Sequence, residues 1–474
     1  MSKTPIVDAL SKYIKDKNAP FSMPGHKSGR GFVVKDNKDM QEIFLSGDIT
    51  EVEGLDNLHN CDGIIKESQE LLAKLYGAYK SYFLVNGSTS GNLAMIFSCF
   101  NEGDSIIVER NCHRSITNAI ILKKLKPIYI QNYISRKYNA PISVDMEHFF
   151  SVVEETEAKG IVLTYPNYYG IAFDLKALAN ICHSRGMKVL VDCAHGAHFG
   201  ITELLPENPI KLGADMAVMS AHKTLPSLTQ TAFLHVKDKE NIDKCSFYVS
   251  SFSTTSPSYI FMASMDYARD YLDAKGKKEF EQCIEVVKEY KSRINKETDF
   301  YAWEQGNIQQ EYSKLNLRID ESRIIISPGA GYNCHKILSY LRNSRVQAEM
   351  TDGYNIVFIA SPFNTREDYD MLLTSLMNCP LEEFRDNQFS IYMNNIPEKA
   401  LEPWEVFERE NSKVELDEAE GKISAVNIVP YPPGVPIIMM GEIIDKEALG
   451  VVKYYLKNEA SILGVEDNKI KIVI

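Results

Sequence analysis

Over roughly residues 60–240 the chain alternates short β-rich apolar runs with stretches of helical spacing, and this rhythm restricts its fold more than any other feature. SYFLVNGSTSGNLAMIFSCF reads as strand, tight turn, helix. DSIIVER, KPIYIQ, GIVLTYPNYYG and KVLVDCAHG read as short strands, and GADMAVMSAHKTL as a buried strand that stops at Ser220. Helical patterns lie between them, such as LKALANICHSRG, stopped at Gly186. Strands and helices in alternation build an α/β fold with a mostly parallel sheet. Ligands in such sheets gather at the carboxyl ends of the strands.

At 474 residues the chain exceeds what one hydrophobic core supports, so two or three domains are expected. After the large unit comes a helical stretch, SPSYIFMASMDYARDYLDAKGKKEFEQCIEVVKEYKSRI, fit to connect two domains. A second α/β unit follows, reading strand, loop, helix, strand, strand over SRIIISPGAGYNCHKILSYLRNSRVQAEMTDGYNIVFIAS. From about Asp386 a small C-terminal domain is expected, with Pro432, Pro433 and Pro436 fixing a turn. The expected division is an N-terminal arm over 1–45, a large domain over 46–270, a linker helix with a small α/β domain over 271–385, and a C-terminal domain over 386–474.

No apolar stretch is long enough to span a bilayer, and the charged N-terminus lacks the apolar core of a signal peptide. Nine scattered cysteines without CxxC pairs favour a reducing cytoplasm. A net charge of -12 argues against nucleic acid as partner and is compatible with small cationic substrates.

Three stretches carry chemistry. In LVNGSTSGN, Gly87 lets the backbone turn after a strand, and Ser88, Thr89 and Ser90 open the next helix. Free amides and hydroxyls there suit a phosphate; plain N-capping is the alternative. In VLVDCAHGAHFG, Asp192 ends an apolar strand, where a buried carboxylate needs a charged partner unless it is an exposed loop acid. The same stretch holds His195 and His198 beside Asp192 and Cys193, a weaker pattern for a metal because glycines interrupt it. In MAVMSAHKTL, Lys223 follows a buried strand; it either snorkels outward or serves a site. His113, after the strand DSIIV, could stack on a ring and move protons, or be a loop histidine. His222 could contact a phosphate, move a proton, or cap the strand.

Phosphate donors, a strand-end acid and a strand-end lysine open on one sheet edge. They match the needs of pyridoxal phosphate: helix donors for its phosphate, an anion for its pyridine nitrogen, and an amine to form a Schiff base with its aldehyde.

FSMPGHKSGRG, GLDNLHNCDGIIKESQ, NGSTSGN, RNCHRSI, VDCAHGAHFG, SAHKTLPSLTQTAFLHV and YPPGVPI together resemble the Orn/Lys/Arg decarboxylases in their short bacterial form. The resemblance runs from about residue 4 into the C-terminal domain. It implies a PLP-dependent transferase of the aspartate-aminotransferase fold, fold type I. It implies Lys223 as the Schiff-base lysine, Asp192 on the pyridine nitrogen and His113 stacked on the ring. Ser88, Thr89, Ser220 and His222 become phosphate contacts, His195 stands close to the ring, and Pro24 to Lys27 lie near the dimer interface and the site mouth. Two departures bear on substrate identity rather than on the cofactor. Cys193 stands where the family commonly has Glu, and Asn57 replaces the second acid of an LDDLH element that has also lost its proline.

The implied reaction is a carboxy-lyase one: loss of CO2 from a basic L-amino acid, arginine before lysine or ornithine, which would give agmatine and belong to polyamine metabolism. Lys223 or His222 would return a proton to Cα. Glu51, Glu53, Asp56 or Glu442 would meet the distal cation. The competing expectations are another PLP reaction, as in an aminotransferase or lyase, and a non-catalytic family member. A homodimer or higher homo-oligomer is expected, because active sites of this fold are completed across a two-fold interface.

Overall fold

A computed structural model of the chain describes residues 4–32, 39–386, 395–430, 436–458 and 461–474. Strands β1 (Lys80–Leu84), β2 (Ser105–Glu109), β3 (Lys126–Ile130), β4 (Gly160–Thr164), β5 (Lys188–Asp192), β6 (Met216–Met219) and β7 (Ala232–Val236) form one seven-stranded sheet. Its spatial order is β1-β7-β6-β5-β4-β2-β3. The pairs β2–β3, β2–β4, β4–β5 and β5–β6 are parallel, and only β7 runs against its neighbours.

The strands are near-continuous apolar runs because both faces are covered. Leu84, Val108, Leu190 and Val218 face a core shared with α1 (Gly87–Cys99) and α2 (Arg114–Lys123). Phe83, Ile107, Val191 and Met219 face a larger core on the other side. With the strands aligned, the segments after β1, β2, β4, β5 and β6 emerge on one edge.

A long helix, α3 (Lys277–Glu297), follows a π turn at Leu272–Gly276 and leads into a small antiparallel sheet. That sheet comprises β8 (Tyr301–Ala302), β9 (Arg323–Ser327), β10 (Met350–Thr351) and β11 (Ile356–Ile359). Within the segment expected as an N-terminal arm, Ala19–Phe21 pairs parallel with Val346–Ala348, which ties it to this second unit. The tail forms β12 (Asn411–Glu415), β13 (Val465–Glu466), β14 (Lys469–Val473) and helix α4 (Lys446–Lys457). Leu416, Ile438, Leu449 and Val452 make its separate core. Of the prolines expected to fix a turn, Pro432 and Pro433 lie outside the described residues. Among those residues no helix is long and apolar enough to cross a membrane, and all nine cysteines are unpaired.

Candidate active site

A cavity of about 760 Å³ opens at the carboxyl edge of the large sheet, lined by Ser88, His113, Asp192, His195 and Lys223 among others. Ser88, His113 and Lys223 follow β1, β2 and β6, while Asp192 and His195 share the end of β5.

Lys223 sits in the short helical turn Ala221–Thr224 after β6. Its Nζ lies 3.0 Å from His195 Nε2. Burial pushes the amine down to about 8; Asp192 and Glu349 pull the other way, and the Arg323 charge adds to the depression.

Asp192, 3% exposed, ends β5. Asn92 Nδ2 donates to its Oδ2 at 2.9 Å, and the Ala194 N–H donates to its Oδ1 at 3.1 Å. Among the described residues no cationic side chain forms an ion pair with it. A buried carboxylate held only by neutral donors at a cavity wall has charge to spare for a cationic ligand.

His113 caps α2: the Ser115 N–H donates to its Nδ1 at 3.2 Å, which leaves the proton on Nε2. Burial lowers its pKa, opposed by Asp192. Gly87, with φ of +71, makes the turn into α1. Asn86 in the cap position makes no side-chain bond to the helix, its Nδ2 donating instead to Phe252 O at 3.4 Å, and Ser90 Oγ bonds back to Gly87 O. The capping alternative for this stretch therefore does not hold, and the first-turn amides near Ser88 and Thr89 have no side-chain cap. Ser220 Oγ is fully buried without a hydrogen-bond partner among the described residues.

His222 donates its Nδ1–H to Thr231 O at 2.8 Å. Burial pushes it down to about 4, so the ring is neutral and its Nε2 is a bare acceptor. His195 and His198, weighed together for a metal, turn to different partners. His195 lies between Lys223 and Arg323, while His198 Nε2 meets Asp320 at 3.1 Å.

Of the acids expected at the distal end, Asp56 and Glu442 are already engaged, whereas Glu51 Oε1 is buried without a hydrogen-bond partner among the described residues. Asp56 accepts backbone N–H groups from Asn57, Asp62, Gly63, Ile65 and Lys66, capping the following helix. Glu442 is fully buried against Arg110. Glu53 is exposed, and Glu51 is half-buried. Asn57, at the departure from the family pattern, accepts N–H groups of His59 and Asn60 and closes a local turn.

Sequence reasoning missed Asn92, Arg323 and Tyr168. Asn92 lay within a quoted motif, on α1, where its side chain reaches the carboxylate that ends β5. Arg323 is a charge at the head of the apolar run IIIS, and that oddity was its signal. Tyr168 had none; its ring lies 4.5 Å from that of His195.

The arrangement can hold a phosphorylated aromatic cation. Uncapped helix amides and an orphaned serine hydroxyl suit the phosphate, Asp192 suits a ring cation, and Lys223 offers an amine that loses its proton more readily than a surface lysine.

Residues 4–368 match the model of the Orn/Lys/Arg decarboxylase major domain, and residues 385–462 match that of its C-terminal domain. The chain is 33% identical to the uncharacterized protein YaaO of Bacillus subtilis, over 97% of this chain and 96% of that one. It is 32% identical to the arginine decarboxylase of the same organism, over 99% and 97%. The crystal structure of the Francisella novicida lysine decarboxylase superimposes with a TM-score of 0.78 at 21% identity, covering 99% of this chain and 81% of that one. The α/β, fold-type I architecture expected from the sequence is thereby the observed one.

Proposed function

The chain belongs to the Orn/Lys/Arg decarboxylase family, and from that premise we propose that it removes CO2 from a basic L-amino acid with pyridoxal phosphate, arginine being the preferred substrate. One observation carries the reading. A lysine amine and a buried carboxylate lacking an ion-pair partner among the described residues open on the same cavity, beside an uncapped helix N-terminus.

When bound, pyridoxal phosphate supplies an aldehyde that takes the substrate's amine and a protonated ring that draws electrons from the breaking Cα–carboxylate bond. The chain does the rest. Asn92 and the Ala194 amide fix the Asp192 carboxylate, so its charge keeps the ring nitrogen protonated. The α1 amides, with Ser88, Thr89 and Ser220, would hold the phosphate. His113 offers a ring at the cavity wall. Lys223 would hold the cofactor's aldehyde at rest, take up the proton of the substrate's ammonium group, and return it to Cα. Neutral His222, whose single ring proton is committed to Thr231, is the poorer donor of the two.

Tyr133 and Tyr312 line the cavity edge to face, 6.0 Å apart. Aromatic faces favour a planar guanidinium over a compact ammonium. The 32% identity to an arginine decarboxylase, against 22% to a lysine decarboxylase of Escherichia coli, points the same way. A homo-oligomer in a reducing cytoplasm is the setting in which this reading places it.

The test is to offer L-arginine, L-lysine and L-ornithine and to measure CO2 and amine, with Lys223→Ala as control. Agmatine and CO2 from arginine, lost in Lys223→Ala, is the expected result. A keto acid in place of CO2 would make the protein an aminotransferase, and no product from any of the three would leave only a binding role.

A further inference from the structure

The guanidinium of Arg323 lies behind the active-site histidine, away from the cavity. Arg323 heads β9 and is fully buried. Its Nη2 lies 2.9 Å from His195 Nδ1, its Nη1 donates to Tyr168 O at 3.1 Å, and its Nε faces Asp320 Oδ2 at 3.4 Å. With every arm of the fork engaged, Arg323 is no clamp for a substrate carboxylate. Its side chain crosses Gly170, where a Cβ would come within 2.9 Å of Arg323 Cδ. Asp320 is itself locked by Ser322 and His198, so the guanidinium has one seat.

An arginine is always a donor in a protein. His195 Nδ1 facing it must therefore be an acceptor. The one proton of the neutral imidazole then sits on Nε2, the atom 3.0 Å from Lys223 Nζ. A ring turned over would present carbon to both partners. An ammonium at Lys223 would set N–H against N–H, so the group that meets Nε2–H is an amine with a free lone pair.

We propose that Arg323 is a positioning residue that acts through His195: it fixes the Nε2–H tautomer and so disfavours the ammonium form of Lys223 and aims its amine. This deepens the decarboxylase reading and rests on it for the role of Lys223. Around that amine stand Asp192 and Glu349, which favour the ammonium, and Arg323, His113, His195 and His222, which disfavour it or are themselves depressed by it. The lowered pKa of Lys223 agrees with the outcome.

The test reads the amine directly, in the full chain stripped of cofactor. Trace acetylation over about pH 6 to 11, with Lys223 followed by peptide mass spectrometry, gives its titration midpoint. In the wild type the midpoint lies well below that of surface lysines. Arg323→Met raises it by about one pH unit or more, and Arg323→Lys, which keeps a charged donor, brings it back. His195→Phe also raises it, and in that background Arg323→Met adds little. The relay is overturned if Arg323→Met leaves the midpoint in place, or if its full effect persists without His195, which would mean charge acting through space. Should Arg323→Met not fold, His195→Phe alone decides: an unmoved midpoint rejects the proposal. CO2 release by the wild type is scored separately. A protein that makes no amine yet shows these midpoints keeps the relay, and a decarboxylase whose midpoint ignores Arg323 loses it.

Discussion

Burial settles the charge of single histidines here, and that has a cost in acid. His235 in β7 is fully buried, its ring centroid 4.3 Å from that of Tyr76. Its Nδ1 meets Ser81 Oγ at 2.7 Å, and its Nε2 has no partner among the described residues. Burial alone pushes its pKa down to about 3, and burial first, with the Lys223 charge beside it, pushes that of His222 to about 4. The folded-state pKa lies below the unfolded value near 6.5, so between these limits the unfolded chain binds more protons. Stability from these groups is complete above the unfolded pKa and is lost as pH falls toward 3 to 4, at about 1.4 kcal/mol per pH unit for each group. The thermal midpoint should therefore drop steadily from about pH 6.5 to 4.5, and His235→Phe, which keeps the ring stack and removes the titration, should flatten that drop. Equal slopes for the two proteins would show that His235 is not held neutral.

At the scale of elements, the segment Ser22–Lys27 braces the lysine turn. The Gly25 N–H donates to His222 O at 2.8 Å, and Ser361 Oγ donates to Gly25 O at 2.8 Å. A Cβ on Gly25 would fall 2.5 Å from Thr224 C and 2.7 Å from Leu225 O, backbone atoms that no rotamer change can move. Gly25→Ala should thus prise the Lys223 turn away, costing about 1–3 kcal/mol in stability and weakening cofactor affinity about tenfold, read by thermal denaturation and absorbance titration. Wild-type binding in that variant would exclude the brace. This contact also marks the limit of the sequence as a guide. The strands from Lys80 to Val236, and Asp192 and Lys223 at their ends, were legible because apolar runs and their polar stops are local signals. The touch between Gly25 and Leu225 is separated by most of the large sheet and leaves no period. The PGHK motif pointed to an interface and the site mouth but not to the turn it braces, and Arg323, odd at the head of its apolar run, gave no hint of its partner His195 on another element. Asp56 read as a ligand acid since an N-cap and a pocket acid look alike before the backbone is known.

Across the whole molecule, the C-terminal unit reaches into the site through one buried ion pair. Arg110 follows β2, three residues before His113, and packs 5.4 Å from the Tyr129 ring. Its guanidinium grips Glu442 and donates from Nη2 to Ile437 O at 2.8 Å, while Glu442 also accepts the Met439 N–H at 2.7 Å. Ile437 and Pro436 line the cavity with Arg110. The tail is therefore a wall of the site and an anchor for the loop that carries His113. Removing one member of a buried pair strands the other charge, so Glu442→Ala should cost about 3–5 kcal/mol and lower the thermal midpoint. Replacing both members with apolar side chains, Arg110→Met with Glu442→Leu, removes the stranded charge and should recover most of that stability. It does not recover the anchor. The double variant should melt near the wild type yet keep a reduced kcat/KM on the best of the three amino acids, because the His113 loop is then tied by packing alone. Full recovery of kcat/KM along with stability would mean that the pair only holds two domains together. An unchanged thermal midpoint in Glu442→Ala would mean that it does not do even that.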